Sequence, residues 1–220
     1  MEFPAPPDPP YEMWVRGELE AWLNLPQGYR VEIIEGDIVV SPPARFAHSR
    51  IAAIVAAAIG RAGVADPDFR WEAVIATGVG EPPVRGWIPD VVIMDRERAD
   101  EAAAADVVVI GPGDMAMAVE ITSPPNADHD REPGPQHRQK NGNRIKTKWT
   151  DYASAGVEYY LLIDRDPRVV RATLYFDPNP GTGRYESAVA WGFGQPIVLP
   201  EPFNVMIDTT EWKAWPTSEA

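Results

Sequence analysis

The sequence predicts a mixed α/β or α+β fold, a central sheet flanked by helices, and three observations predict it. Short β-branched runs of strand length recur along the chain, bounded by Gly, Pro and Asp. One long stretch, "FAHSRIAAIVAAAIGRAG", carries Ile51, Ile54, Val55, Ala58 and Ile59 at helical spacing. Helices and strands also alternate along the chain rather than segregating into two halves. At 220 residues with 45% hydrophobic content, the chain can bury one substantial core.

Taken in order, residues 1–10 are a proline-rich tail and residues 11–220 a single domain. "YEMWVRGELEAWLNLP" reads as a short helix with Met13, Trp14, Leu19 and Leu23 on one side. "YRVEIIEGDIVVSP" is a hairpin whose β-branched arms join across Glu35, Gly36 and Asp37. The long helix follows, with Gly63 placed near its end. "WEAVIATGV", "GWIPDVVIM", "MAMAVEIT", "EYYLLID" and "RATLYF" read as strands, and "DVVVI" is a further candidate. "RADEAAAAD" is a helical turn or a surface excursion. Residues 124–143 lack apolar periodicity and are rich in proline, which predicts a long flexible loop. "RIKTKWTDYASAG" is then a helix with Ile145, Trp149 and Tyr152 as its buried stripe, closed by Gly156. Internal repeats, a phosphate-binding loop and a dinucleotide fingerprint are absent from the sequence.

Composition narrows the function. The chain has no cysteine, which removes disulfides, thiolate metal sites and thiol nucleophiles. The start lacks the basic and apolar regions of a signal peptide, and the longest apolar run is too short to span a bilayer, so a cytoplasmic protein is expected. A net charge of −13 opposes broad adhesion to nucleic acid. Against that background, Arg131, Arg138, Lys140, Arg144, Lys146 and Lys148 form a basic run with only Glu132 among them. It is expected either to meet phosphate, through Arg138 and Lys140 in particular, or to be a solvated surface.

The chemistry concentrates on "MAMAVEITSP". Strand alternation puts Glu120 on a face shared with Ala116, Ala118 and Thr122, where a lone carboxylate would cost several kcal/mol to desolvate. Glu120 must be protonated, paired with a cation or holding a metal. Asp90 directly precedes another apolar strand, so pairing of the two strands brings both carboxylates to one spot. Two hard oxygen ligands, completed by water and a phosphate oxygen, suit Mg²⁺ or Mn²⁺.

"YRVEIIEG", a histidine shortly after "SPP", "PDVVI", "VEITSP", and a helix carrying Lys148 and Tyr152 before "AGVEYYLLID" together resemble the Uma-two family of restriction endonucleases. The resemblance runs from about Tyr29 to Asp164 and more weakly beyond. It implies a restriction-endonuclease-like PD-(D/E)xK fold and a divalent-metal endonuclease acting on DNA, with a homodimer as an open assembly. By matching position, it implies Asp90 and Glu120 as metal ligands, Glu32 as an additional acid and Lys148 as the catalytic lysine, with Tyr152 one turn further on. Thr122 stands where the nuclease motif normally carries lysine. Arg144 stands where an acid is expected one turn before Lys148, which leaves Asp128 or Asp130 to take that role.

His48 is an accessory candidate, positioned to bond Glu32 or a phosphate. His129 and His137 lack zinc spacing and are read as loop residues. Lys146, the rival to Lys148, is expected to face solvent. The competing function is a catalytically inactive binding or scaffold protein that keeps the nuclease fold, and metal titration discriminates the two.

Overall fold

The computed structural model describes residues 6–135, 138 and 142–217. His137 and Lys140 lie outside the described residues, so the expectations placed on them have no structural counterpart.

The N-terminal segment forms two short helices, α1 (Pro10–Val15) and α2 (Leu19–Trp22), where one was expected, because the chain turns at Arg16 and Gly17. Met13, Trp14, Leu19 and Leu23 are buried against Val31 and Ile33. The hairpin forms as read, β1 (Arg30–Ile34) against β2 (Asp37–Ser41), with both turn residues, Glu35 and Gly36, at positive φ. That is the turn geometry matching the strands' own twist. The long helix α3 spans Phe46–Ala65, with Gly63 near its end as read.

Two expected strands divide. "WEAVIATGV" becomes β3 (Trp71–Ile75) and β4 (Gly78–Glu81), separated at Ala76 with φ +54. "GWIPDVVIM" becomes β5 (Arg85–Trp87) and β6 (Val91–Asp95), separated around Pro89, which has no N–H to give a ladder. Helix α4 (Arg96–Ala104) follows, capped by the Asp95 side chain, and then β7 (Val109–Ile110) and β8 (Met117–Ile121). The proline-rich segment is more ordered than the loop expected for it, since Ala127–Asp130 is a helical turn, α5, with Asp130 buried. Helix α6 (Lys148–Ser154) is shorter than read: Thr147 caps it and accepts a hydrogen bond from Thr150 N. Ile145 therefore precedes the helix, and Trp149 and Tyr152 carry its buried face. Gly156, at φ +75, closes it; Val157 N donates to Tyr152 O at 3.0 Å, the pairing a left-handed residue permits at a helix end. Strands β9 (Tyr159–Asp164) and β10 (Arg171–Asn179) complete the expected set. Also formed are β11 (Arg184–Gly192), β12 (Ile197–Leu199) and β13 (Val205–Ile207), for which no expectation existed.

In place of one central sheet there are two large ones. The first has order β2-β1-β5-β4-β7 and the second β11-β10-β9-β8-β6-β3, with β12 and β13 as a separate pair. Helix α3 packs Ile51, Val55 and Ile59 on one face of the second sheet, against Ile93, Val119 and Leu161. The other face carries Val92, Ala118 and Leu162 and packs against Trp149 and Tyr152 of α6 and Trp87 of the first sheet. Both faces are covered, which is why β6 and β8 read as continuous apolar runs instead of alternating ones. Among the described residues, no helix is long and apolar enough to cross a membrane.

Candidate active site

The site lies where the chain passes from one sheet to the other. Glu32 comes from β1 of the first sheet, Asp90 from the crossing between β5 and β6, Glu120 from β8 of the second sheet, and Lys148 from the first turn of α6. Strands β6 and β8 pair antiparallel with Val91 opposite Val119, which sets Asp90 opposite Glu120 one step further along. Directly opposed residues project from the same face. All four side chains are buried and line one cavity of about 50 Å³, room for a few waters.

Lys148 Nζ lies 2.9 Å from Oε1 of both Glu32 and Glu120, and 3.8 Å from Asp130 Oδ1. Glu120 Oε1 also accepts from the Tyr152 hydroxyl at 2.6 Å. Glu32 Oε1 accepts from Ile88 N at 2.8 Å, so β1 and the crossing segment are fixed together. Asp90 Oδ2 accepts from Ile121 N at 2.8 Å, and its Oδ1 stands 3.3 Å from Arg30 Nη1. His48 Nε2 is 2.8 Å from Asp90 Oδ1, so its protein partner is Asp90, where Glu32 or a phosphate was expected. His48 Nδ1 is buried without a hydrogen-bond partner.

The cavity collects four carboxylates, Glu32, Asp90, Glu120 and Asp130, against the lysine and arginine cations Lys148 and Arg30, so its acids outnumber those cations by two. Burial pushes Glu120 well above the ordinary carboxylate range; Lys148 opposes this, and Asp90, Asp130 and Glu32 reinforce it. Burial likewise lifts Asp130 to about 7, with Lys148 opposing and Asp90 and Glu32 adding. For Asp90, burial is outweighed by the His48 contact, Lys148 and the Ile121 N–H, and the carboxyl falls below its ordinary value. Lys148 would be lowered by burial, yet the surrounding acids hold it well above its ordinary value, so it stays charged. Lysine and tyrosine together do not neutralise the pocket.

A second set of contacts places Lys148. Glu35 N donates to Asp151 Oδ2 at 2.8 Å, and Thr147 N donates to Glu35 Oε1 at 3.0 Å, so the hairpin turn and the start of α6 clasp each other. Asp151 also accepts from Trp87 Nε1 and Arg85 Nε, both at 2.9 Å. This explains why Glu35, a non-glycine residue, tolerates positive φ. Lys146 does not simply face solvent: its Nζ is 2.8 Å from Asp37 Oδ1 and donates to Glu35 O at 2.7 Å.

Much of the basic run is engaged. Arg144 pairs with Glu35, and Arg131 pairs with Asp164 at 2.7 Å and Asp166 at 3.0 Å. Arg138 donates to the carbonyls of Pro135 and Gly142. Of the two acids offered before Lys148, Asp130 enters the cavity, whereas Asp128 is exposed and pairs with Arg131. Thr122 is not on the cavity wall; its hydroxyl donates to Asp164 Oδ1 at 3.1 Å. Sequence reasoning missed Arg30, Asn126 and His129, all of which line the cavity. No spacing signal marks them, because the chain crossings bring them there.

Among the described residues, no three or more His, Asp or Glu side chains form a metal cage by themselves. The donor set still fits Mg²⁺ or Mn²⁺. Such ions are commonly held by one or two carboxylates with water and substrate phosphate, and the excess negative charge calls for a cation.

The chain thus has a mixed α+β fold with this pocket at the junction of its two large sheets. It shares that fold with a crystal structure described as a putative nuclease belonging to DUF820 from Anabaena variabilis ATCC 29413, at TM-score 0.56 and 18% identity, covering 87% of this chain and 96% of that one. The profile of the Uma2 family, described as "Putative restriction endonuclease", matches residues 16–210. The chain belongs to the Uma2 family. Among curated proteins, none matches it.

Proposed function

We propose that the chain is a divalent-metal-dependent endonuclease that hydrolyses DNA phosphodiester bonds, using Mg²⁺ or Mn²⁺. The observation that carries this reading is Asp90 opposed to Glu120 beside one buried lysine, in a cavity with more carboxylates than cations. In this reading Asp90 and Glu120 hold the ion. Bound there, the ion supplies a polarised phosphoryl oxygen and a water of lowered pKa. Lys148, kept charged by its neighbours, lends positive charge to the phosphorane as it forms. Asp130, at about 7, is matched to accepting a proton from an attacking water near neutral pH. His48 and Arg30 orient Asp90, and Tyr152 orients Glu120. No covalent intermediate is required.

Incubation of plasmid and linear DNA with Mg²⁺ or Mn²⁺ tests the reading. Cleavage abolished by EDTA and by Asp90→Asn is the expected result; folded protein that cleaves in neither ion contradicts it. One observation favours the inactive-scaffold alternative. Lys148 Nζ already sits on both Glu32 and Glu120, so an ion held by Asp90 and Glu120 must share Glu120 with it.

A further inference from the structure

Beside the cavity runs a larger cleft of about 730 Å³, a volume typical of ligand sites. The two share walls: Ala44, Ser123 and Asn126 face the cavity, while Arg45, Pro124 and Ala127 face the cleft. The acids of the cleft are matched. Asp128 stands 3.1 Å from Arg131, and Asp166 stands 3.0 Å from Arg131 and 2.6 Å from Arg168.

Two guanidiniums remain in surplus. Arg45 is exposed at the start of α3 and, among the described residues, has no ion pair. Arg165, next in the chain to the cleft-lining Asp166, is buried, and among the described residues it has no ion pair; its Nε donates to the Lys213 carbonyl at 3.2 Å. Burial lowers the Arg165 pKa, and the charge of Arg45 lowers it further. In a chain of net charge −13, an uncompensated cationic pair is a specific attraction for an anion. The half-buried indole of Trp215 lines the same cleft, its backbone N–H held by Arg165 O at 3.1 Å.

We propose that this cleft binds single-stranded nucleic acid, with phosphate on Arg45 and an unpaired base stacked on Trp215, and leads the strand toward the cavity. A base inside a duplex cannot offer its face to an indole, whereas every base of a single strand can. The proposal rests on the nuclease reading only for what happens to the strand in the cavity.

The test is fluorescence anisotropy in EDTA with a labelled oligothymidylate of about a dozen nucleotides, a length within known single-strand site sizes, and with a duplex of equal length. The single strand should bind more tightly than the duplex. Arg45→Ala should weaken binding about fivefold or more and flatten the salt slope by about 0.7. Trp215→Ala should weaken it by a similar factor without changing the slope, and Trp215→Phe should restore most of the loss. Arg50→Ala, which removes an exposed arginine paired with Glu211, is the charge-matched control and should leave binding within about twofold. Preference for duplex, no single-strand binding at low salt, or wild-type binding by both Arg45→Ala and Trp215→Ala would overturn the proposal. Binding without cleavage in Mg²⁺ or Mn²⁺ would instead count against the cavity reading and leave the cleft standing.

Discussion

Lys148 Nζ lies 2.9 Å from Glu120 Oε1, in the interior, with Glu32 Oε1 at the same distance. One buried cation thus ties α6 to a strand of each sheet. Lys148→Ala leaves those carboxylates without compensation, and removing one partner of a buried pair costs about 3–5 kcal/mol. Urea denaturation at pH 8 should show that loss, and any cleavage activity should fall by about 100-fold or more. Lys146→Ala removes partly exposed contacts to Asp37 and to the Glu35 carbonyl and should change activity little. The opposite ranking would remove Lys148 from the chemistry.

Asp151 predicts an effect at a distance. It touches no carboxylate of the cavity, yet accepts from Glu35 N, Trp87 Nε1 and Arg85. Asp151→Ala strands a buried indole N–H and a turn N–H, each worth about 1–3 kcal/mol. A stability loss of that order should come with reduced activity as the start of α6 loosens. Normal stability on denaturant melting would show that the clasp is dispensable.

Proton linkage gives a third outcome. Asp130 has a folded pKa of about 7 against an ordinary 3.8, and Glu120 is shifted the same way. The folded chain keeps protons that the unfolded chain has released, so the pocket's contribution to stability falls as pH rises from 3.8 to about 7. A cation relieves the same repulsion. Saturating Mn²⁺ should therefore raise the Tm more at pH 8 than at pH 5, and Asp130→Asn should shrink that difference. An equal rise at both pH values would contradict the charge excess.

The sequence showed the β1–β2 hairpin, the stripe of α3 and the turn glycine after α6 because each is written in local spacing or turn chemistry. Asp90 and Glu120 were legible for a related reason: a carboxylate set in or against an apolar strand requires compensation wherever it goes. The division at Ala76 and at Pro89 was not legible, since a strand that changes sheets keeps the same apolar composition. Strands β12 and β13 are only three residues each, too short for alternation to register. Asp130 was offered only beside Asp128, because a proline-rich stretch without periodicity does not choose between them; Tyr160, whose hydroxyl donates to Asp130 O at 2.8 Å, ties that stretch to the second sheet. In the basic run, charge in sequence does not reveal pairing in space: Arg131, Arg144, Lys146 and Lys148 each meet an acid.

The central claim is that Asp90 and Glu120 form a divalent-cation site, and calorimetric titration of Mn²⁺ into the metal-free chain at pH 8 tests it most directly. The account predicts saturable binding that is lost in both Asp90→Asn and Glu120→Gln while both variants remain folded. Absence of binding to the wild-type chain, or binding that survives both substitutions, would contradict it.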